Sequence, residues 1–179
     1  MSDFPLLIDL STLTNSDGFR LLGEAVFDRT GTSNSSAGDI NGDGIDDLIV
    51  GAPSNDTAGS NSGTAYVVFG KTSGNSDVDL ATLTPSEGFS ITGAAENDFA
   101  GRSVSSAGDV NGDGFDDFVI ASRYNDDGGS NAGKAYVIFG RDSTISPFSD
   151  IDLANLSTSD GFSIQGEDCL LYTSPSPRD

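Results

Sequence analysis

Two short stretches of the sequence carry acidic and amide side chains at the spacing of calcium-binding loops. Residues 39–47 read Asp-Ile-Asn-Gly-Asp-Gly-Ile-Asp-Asp, and residues 109–117 read Asp-Val-Asn-Gly-Asp-Gly-Phe-Asp-Asp. Calcium prefers about six to eight oxygen ligands, and closely spaced carboxylates supply them. The pattern predicts two calcium sites, with side-chain oxygens at positions 1, 3, 5 and 9 and a backbone carbonyl at position 7. The predicted ligands are Asp39, Asn41, Asp43, Ile45 and Asp47 in the first loop and Asp109, Asn111, Asp113, Phe115 and Asp117 in the second.

Three familiar loop types share only part of this pattern. An EF-hand and a dockerin repeat both need an acidic residue at position 12 and a helix beside the loop. Here Val50 and Ile120 occupy position 12, and the flanking residues are strand-like. Simple hairpin turns would account for the Asn-Gly and Asp-Gly pairs but not for the repeated acids. We therefore favour calcium loops between strands, with Asp46 and Asp116 at position 8 facing solvent.

The composition excludes several functional classes. With 28 Asp and Glu against 8 Lys and Arg, the formal net charge is -20, which rules out a nucleic-acid-binding surface and disfavours anionic membranes. The absence of His removes the usual general base and His-ligated zinc. No apolar run approaches the ~20 residues of a membrane helix, and the N-terminus does not resemble a signal peptide. We expect a protein that is not an enzyme.

The acidic loops belong to a longer internal repeat. The second loop begins 70 residues after the first, and the segment Ala65-Tyr66-Val67-Val68-Phe69-Gly70 recurs at the same offset as Ala135-Tyr136-Val137-Ile138-Phe139-Gly140. Gly18-Phe19 recurs as Gly88-Phe89 and then, at an offset of 73, as Gly161-Phe162. Repetition at a fixed period is the signature of an array of similar structural units. The third copy stops before its acidic loop.

The apolar runs within each unit are short and rich in β-branched and aromatic residues, which is typical of strands. Each unit supplies about four of them, and this number suggests one antiparallel blade of a β-propeller. We therefore predict an all-β fragment of a propeller with two four-stranded blades and a partial third. The expected divisions are residues 1–23 as the end of a preceding blade, 24–93 as the first blade, 94–168 as the second blade with the start of a third unit, and 169–179 as a tail.

The repeat resembles the FG-GAP repeats that build the β-propeller of integrin α subunits and recur in secreted bacterial proteins. The "GAP" element is Gly51-Ala52-Pro53, and Phe99-Ala100-Gly101 is similar to the "FG" element. The resemblance spans residues 9–168. The first unit departs from it at Arg29-Thr30-Gly31, and the second departs at Ala121-Ser122-Arg123.

The resemblance implies a structural role for two calcium ions, which would hold each hairpin rigid. It also implies an extracellular or cell-surface adhesion or ligand-binding module, of bacterial type. The expected partners are an extracellular protein or glycan and the remaining blades of a parent chain, with no nucleic acid and no membrane insertion. The alternatives are an accessory propeller of a secreted hydrolase and a structural spacer in a surface array.

The C-terminal residues 169–179 do not continue the repeat. They read Cys-Leu-Leu-Tyr-Thr-Ser-Pro-Ser-Pro-Arg-Asp, which resembles translated sequencing adapter rather than a natural segment. A disordered Ser- and Pro-rich tail would account for this composition but not for the break in the middle of a repeat. We therefore expect the natural protein to continue into a third acidic loop.

Overall fold

The computed structural model describes Leu10 and residues 13–14, 17–72 and 76–167. The tail at 169–179, with Cys169, and most of the N-terminal segment at 1–23 lie outside the described residues. Within the described part the chain is built of strands and turns, with two single-turn helices at Leu80–Thr82 and Leu153–Asn155. This architecture confirms the predicted all-β class.

The first sheet is blade one of the structure. Its four antiparallel strands lie side by side in the order in which they occur in the chain. They are β2 (Ser33–Gly38), β3 (Asp47–Ala52), β4 (Thr64–Val68) and β6 (Gly88–Thr92). Two short strands, β1 (Leu21–Leu22) and β5 (Val78–Asp79), precede β2 and β6 in the chain. The acidic loop 39–47 joins β2 to β3.

Blade two repeats this arrangement with the same register. Its strands are β7 (Ser103–Gly108), β8 (Asp117–Ser122), β9 (Lys134–Ile138) and β11 (Gly161–Gln165), and β10 (Ile151–Asp152) precedes the last of them. The outer strand β11 carries the Gly-Phe motif of the third sequence copy. Each blade therefore takes its first three strands from one sequence copy and its outer strand from the start of the next copy.

The short strand β10 joins the two blades, a feature that the sequence pattern did not predict. The strand β10, which lies in the chain between β9 and β11, pairs in parallel with β6 of blade one. In the same way β5 pairs in parallel with β1. The strand β1 therefore lies beside β5 as β6 lies beside β10.

The main core lies between the two blades. Strands alternate their side chains between two faces, and one face of blade one packs against the opposite face of blade two. Phe89 stacks on Phe148 from the β9–β10 connection, with ring centroids 4.6 Å apart and planes inclined by 5°. Glycine permits the closest approach, since a Cβ on Gly51 of the "GAP" element would lie 1.8 Å from the carbonyl oxygen of Gly101. The core also includes Ile49, Val67, Ile91, Phe118, Ile120, Tyr136 and Ile138, all nearly inaccessible to solvent.

Candidate metal centres

Each acidic loop closes a hairpin between the first two strands of its blade. The loop needs a sharp turn at position 6, where Gly44 has φ +85° and Gly114 has φ +94°. A Cβ at either glycine would meet no atom within 4 Å. The requirement for glycine is therefore conformational, since side chains are disfavoured in this backbone region. The turn folds the side chains of positions 1, 3 and 5 towards the loop's own backbone.

The aspartate at position 1 organises the turn. Oδ1 of Asp39 accepts hydrogen bonds from the N–H groups of Gly42 at 2.9 Å and Asp43 at 3.0 Å, and Oδ2 accepts from the N–H of Gly44 at 2.9 Å. Asp109 makes the equivalent three bonds in the second loop, at 2.7, 3.1 and 2.9 Å. A carboxylate that accepts several backbone N–H bonds in this way fixes the loop conformation.

The residues at positions 3 and 5 are bonded to each other. Oδ1 of Asn41 accepts from the N–H of Asp43 at 2.8 Å, and its Nδ2 donates to Oδ2 of Asp43 at 3.1 Å. Oδ1 of Asp43 also accepts from the N–H of Ile45 at 2.9 Å. The second loop repeats all three bonds through Asn111, Asp113 and Phe115.

The aspartate at position 9 is buried and links three segments. Asp47 and Asp117 are both 0% exposed. Oδ2 of Asp47 accepts from the N–H of Ile40 at 3.1 Å, and Oδ1 accepts from the N–H of Gly70 at 2.8 Å. Asp117 makes the same bonds to Val110 and Gly140, at 2.9 and 2.8 Å. This carboxylate therefore ties the start of the second strand to the loop and to the end of the third strand.

Burial has an electrostatic consequence for these two carboxylates. Burial, with smaller contributions from the charges of Asp43 and Asp39, raises the pKa of Asp47 to about 6, against the two N–H bonds that lower it. Burial likewise raises the pKa of Asp117, with a smaller contribution from Asp113. Three carboxylates thus lie close enough to repel one another in the first loop. The loops lack compensating positive charge, because no described Lys or Arg forms an ion pair with any of these acids.

The second blade covers the first loop. Oδ2 of Asp116 accepts from the N–H of Asp39 at 3.0 Å, and the N–H of Asp116 donates to the carbonyl of Asp39 at 3.3 Å. The carbonyls of Ile40 and Asn41 accept from the N–H groups of Arg141 and Ser143. The prediction that position 8 faces solvent is therefore correct for the exposed Asp46 and wrong for Asp116. The motif carries no signal for this contact, because it depends on how the blades pack.

The donor set of each loop fits calcium in its chemistry. All the predicted ligands are hard oxygen atoms, as calcium requires. A carboxylate oxygen has about two acceptor sites, so the oxygens of Asp47 and Asp43, each with one hydrogen bond, keep capacity for a cation. The side chains nonetheless turn towards backbone N–H groups. Within the described ranges no three acidic side chains converge closely enough to enclose a metal ion.

The repeated hairpins, the four-stranded blades and the two acidic loops define a class of β-propeller repeat. Residues 30–68 and 100–138 each match the family described as FG-GAP repeat. The two matched stretches run from the first strand of a blade to the end of its third, and each contains one acidic loop. The chain therefore carries two FG-GAP repeats.

Two curated relatives are integrin α chains. Integrin alpha-4 of Xenopus laevis is 32% identical over 111 residues, which cover 62% of this chain and 10% of that protein. Integrin alpha-PS3 of Drosophila melanogaster is 38% identical over 95 residues, which cover 52% of this chain and 8% of that protein. The chain thus matches about a tenth of the length of these relatives. None of its described helices is long and apolar enough to cross a membrane.

Proposed function

We propose that this chain is a calcium-stabilised, non-enzymatic part of an extracellular propeller that binds a protein or glycan ligand. The FG-GAP repeats and the similarity to integrin α chains support a role in adhesion or ligand binding at the cell surface. Calcium has a structural role in this proposal. The divisions 24–93 and 94–168 remain our proposed limits of the two units, and the remaining blades of a longer parent chain are among the proposed partners.

The observation that carries the calcium proposal is the buried carboxylate at position 9. Asp47 is inaccessible to solvent, and this burial, with smaller contributions from Asp43 and Asp39 of the same loop, raises its pKa. A buried charge without a partner is costly. Bound calcium would supply the missing positive charge, held by Asp39, Asn41, Asp43, the carbonyl of Ile45 and Asp47. Asp109, Asn111, Asp113, the carbonyl of Phe115 and Asp117 would hold the second ion.

A cation at these loops would stiffen the hairpins that form each blade. Asp47 is already bonded to Ile40 in the loop and to Gly70 after β4. Fixing its carboxylate therefore fastens the ends of β2, β3 and β4 together. Because a ligand that binds only the folded state adds to its stability, calcium should raise the free energy of unfolding. Extracellular modules hold calcium with dissociation constants of about 10⁻⁴–10⁻³ M, which suits the proposed location.

A terbium titration of the full chain tests the proposal. Terbium luminescence, sensitised by tyrosine and displaced by calcium, should report two sites in the wild-type chain. Asp43→Ala and Asp113→Ala should each remove one site, because each deletes a carboxylate from one loop. Calcium should raise the melting temperature of the wild-type chain, and each variant should lose part of that increase.

The matched control is Asp46→Ala in the first loop. Asp46 is adjacent to Asp47 but is exposed and is not a proposed ligand. This variant should keep both sites and the full effect of calcium on the melting temperature. If Asp43→Ala binds as many ions as wild type, the proposed first site is excluded. If Asp46→Ala loses as much binding as Asp43→Ala, binding depends on the total negative charge of the loop rather than on the proposed ligands.

A further inference from the structure

Each acidic loop contains an Asn-Gly pair, a dipeptide that is prone to spontaneous deamidation. The pairs are Asn41-Gly42 and Asn111-Gly112, and the sequence contains no other Asn-Gly pair. Asparagine is among the chemically labile residues of proteins, and a following glycine favours the reaction because it has no side chain to hinder the approach of its backbone nitrogen. The asparagine of each pair stands at position 3, so the reaction alters a proposed calcium ligand.

The reaction needs no reagent other than water. The backbone nitrogen of the glycine loses its proton and attacks Cγ of the asparagine, which forms a new N–Cγ bond and closes a succinimide ring. The side-chain amide takes up the proton and leaves as ammonia. Water then opens the ring at either carbonyl. One product is aspartate, and the other is isoaspartate, in which the backbone runs through the former side-chain carboxyl group.

The folded loop holds both reacting groups in hydrogen bonds. The N–H of Gly42 donates to Oδ1 of Asp39 at 2.9 Å, so the attacking nitrogen keeps its proton. Asp43 holds the side-chain amide of Asn41 from both sides, at 2.8 and 3.1 Å. Cyclisation therefore requires the loop to open. The second loop repeats these bonds at 2.7, 2.9 and 2.8 Å among Asp109, Asn111, Gly112 and Asp113.

We propose that the two Asn-Gly pairs are modification sites that the closed loops protect and that react when a loop opens. Segments of a folded protein open locally with free energies below that of global unfolding. When opening and closing are fast compared with the chemistry, the rate of modification follows the open population of each loop. The protection arises from hydrogen bonds within the loop, and only its dependence on calcium rests on the function proposed above.

Blade two adds a second layer of protection to the first loop. The N–H of Ser143 donates to the carbonyl of the buried Asn41 at 3.1 Å. A Cβ on Gly42 would lie 2.5 Å from Cε1 of Phe115. Asn111 is exposed, and no described residue covers its loop; a further blade in a parent chain would cover it as blade two covers Asn41. In this chain we therefore expect Asn111 to react before Asn41.

The two products have opposite consequences for the loop. Aspartate at position 3 keeps an oxygen ligand and adds a negative charge, which strengthens both the repulsion within an empty loop and its attraction for a cation. Isoaspartate lengthens the backbone by a methylene group and shifts every later ligand relative to Asp39 or Asp109. Formation of isoaspartate should therefore end calcium binding by that loop, and the loss persists when calcium is restored.

Incubation of the full chain at mildly alkaline pH, followed by digestion and mass spectrometry, tests the proposal. Deamidation raises the mass of a loop peptide, and labelling by an isoaspartyl methyltransferase identifies isoaspartate. In urea both pairs should react at the same rate, because their sequence neighbours are nearly identical. In chelator the folded chain should react more slowly by roughly tenfold or more. Calcium at about 100 times its dissociation constant should slow each loop by about a further hundredfold.

Asp39→Ala and Asp109→Ala are matched variants for the protecting bonds. Each removes the acceptor of one glycine N–H, so in chelator each should speed the reaction in its own loop by several-fold. The pair in the other loop should react as in wild type, and this unchanged rate shows in the same molecule that the chain remains folded. Asn111→Asp, which reproduces the aspartate product, should keep two terbium sites, whereas chains carrying isoaspartate at position 111 should keep one.

The outcomes separate this proposal from the calcium proposal. A folded chain that reacts as fast as the chain in urea would overturn the protection by the loops. An Asp109→Ala chain in which Asn111 reacts no faster than in wild type would do the same. If the folded chain is protected equally in calcium and in chelator, the loops protect the pairs through their own hydrogen bonds, and the calcium sites proposed above are excluded.

Discussion

The loops at 39–47 and 109–117 have almost the same sequence and the same internal hydrogen bonds, but they lie in different surroundings. In the first loop Ile40 is 0% exposed and Asn41 is 4% exposed, whereas Val110 of the second is 51% exposed. The first loop receives hydrogen bonds from Asp116, Arg141 and Ser143 of blade two. No described residue covers the second loop in this way.

The difference shows that one motif has two structural roles. Each loop closes its own hairpin through bonds that the motif itself specifies. The first loop also forms part of the contact between blades, and this property depends on the neighbouring blade. Since repeats stabilise one another through nearest-neighbour interfaces, equivalent substitutions in the two repeats should differ in their effect according to what covers each site.

The largest difference should appear at the outer strands. Phe89 is 2% exposed and stacks on Phe148. Its counterpart Phe162 is 45% exposed, and its ring centroid lies 5.9 Å from that of Phe139. Phe89→Ala should lower the free energy of unfolding by about 3–5 kcal/mol, the usual cost of removing a buried Phe. Phe162→Ala should cost roughly 1 kcal/mol. Urea unfolding at a protein concentration where the chain is monomeric measures both, and equal costs would contradict the comparison.

The pH dependence of stability should differ between the two position-9 carboxylates. The folded pKa of Asp47 is about 6, against about 3.9 in an unfolded chain. The folded state therefore holds this proton more tightly, and the free energy of unfolding should fall as pH rises from about 4 to about 6, by at most ~3 kcal/mol. Burial raises the pKa of Asp117 in the same direction. In chelator, Asp47→Asn should flatten the measured slope more than Asp117→Asn does.

Saturating calcium provides an internal check on this titration. A bound cation favours the ionised carboxylate, so it should reduce or reverse the fall in stability between about pH 4 and pH 6. Urea midpoints at several pH values, with calcium and with chelator, give both slopes. If the free energy of unfolding in chelator rises with pH, and Asp47→Asn leaves that dependence unchanged, this carboxylate is not the group responsible.

The sequence predicted what depends on local patterns. The strands, the hairpin loops and the offset of 70 residues follow from apolar runs, glycines and repeated acids, and the structure has four antiparallel strands in each blade, as predicted. The contact of Asp116 with Asp39 and the parallel pairing of β10 with β6 were not predictable in this way. They join residues 77 and 60 positions apart, and their partners are set by the packing of one blade on the next. The calcium ligands stay a prediction.

A smaller difference should separate the two residues at position 8. Asp116 accepts a hydrogen bond from Asp39 across the contact between the blades, while Asp46 is exposed. Asp116→Ala leaves that N–H without its acceptor and should cost about 1–2 kcal/mol. Asp46→Ala should change the free energy of unfolding by less than about 0.5 kcal/mol. Thermal unfolding of the monomeric chain compares them, and Asp116→Asn, which keeps an acceptor oxygen, should recover part of the loss.

A comparable difference should separate two buried tyrosines at equivalent positions. The hydroxyl of Tyr66 donates to Oε2 of Glu24 at 2.5 Å. The second repeat has Ala94 where the first has Glu24, and the hydroxyl of Tyr136 has no hydrogen-bond partner among the described residues. Hydrogen bonds to charged groups contribute about 1.5–3 kcal/mol, so Tyr66→Phe should destabilise the chain by an amount near the lower end of that range.

Tyr136→Phe removes a buried hydroxyl that makes no bond, so it should be neutral or stabilising. Ala94→Glu supplies the missing carboxylate, and the hydroxyl of Tyr136 is then able to donate as Tyr66 does. The Tyr136→Phe change should therefore become destabilising in the Ala94→Glu background, and a double-mutant cycle measures that coupling. A coupling of zero would mean that the difference between the two tyrosines arises from their surroundings as a whole rather than from the single exchange of Glu24 for Ala94.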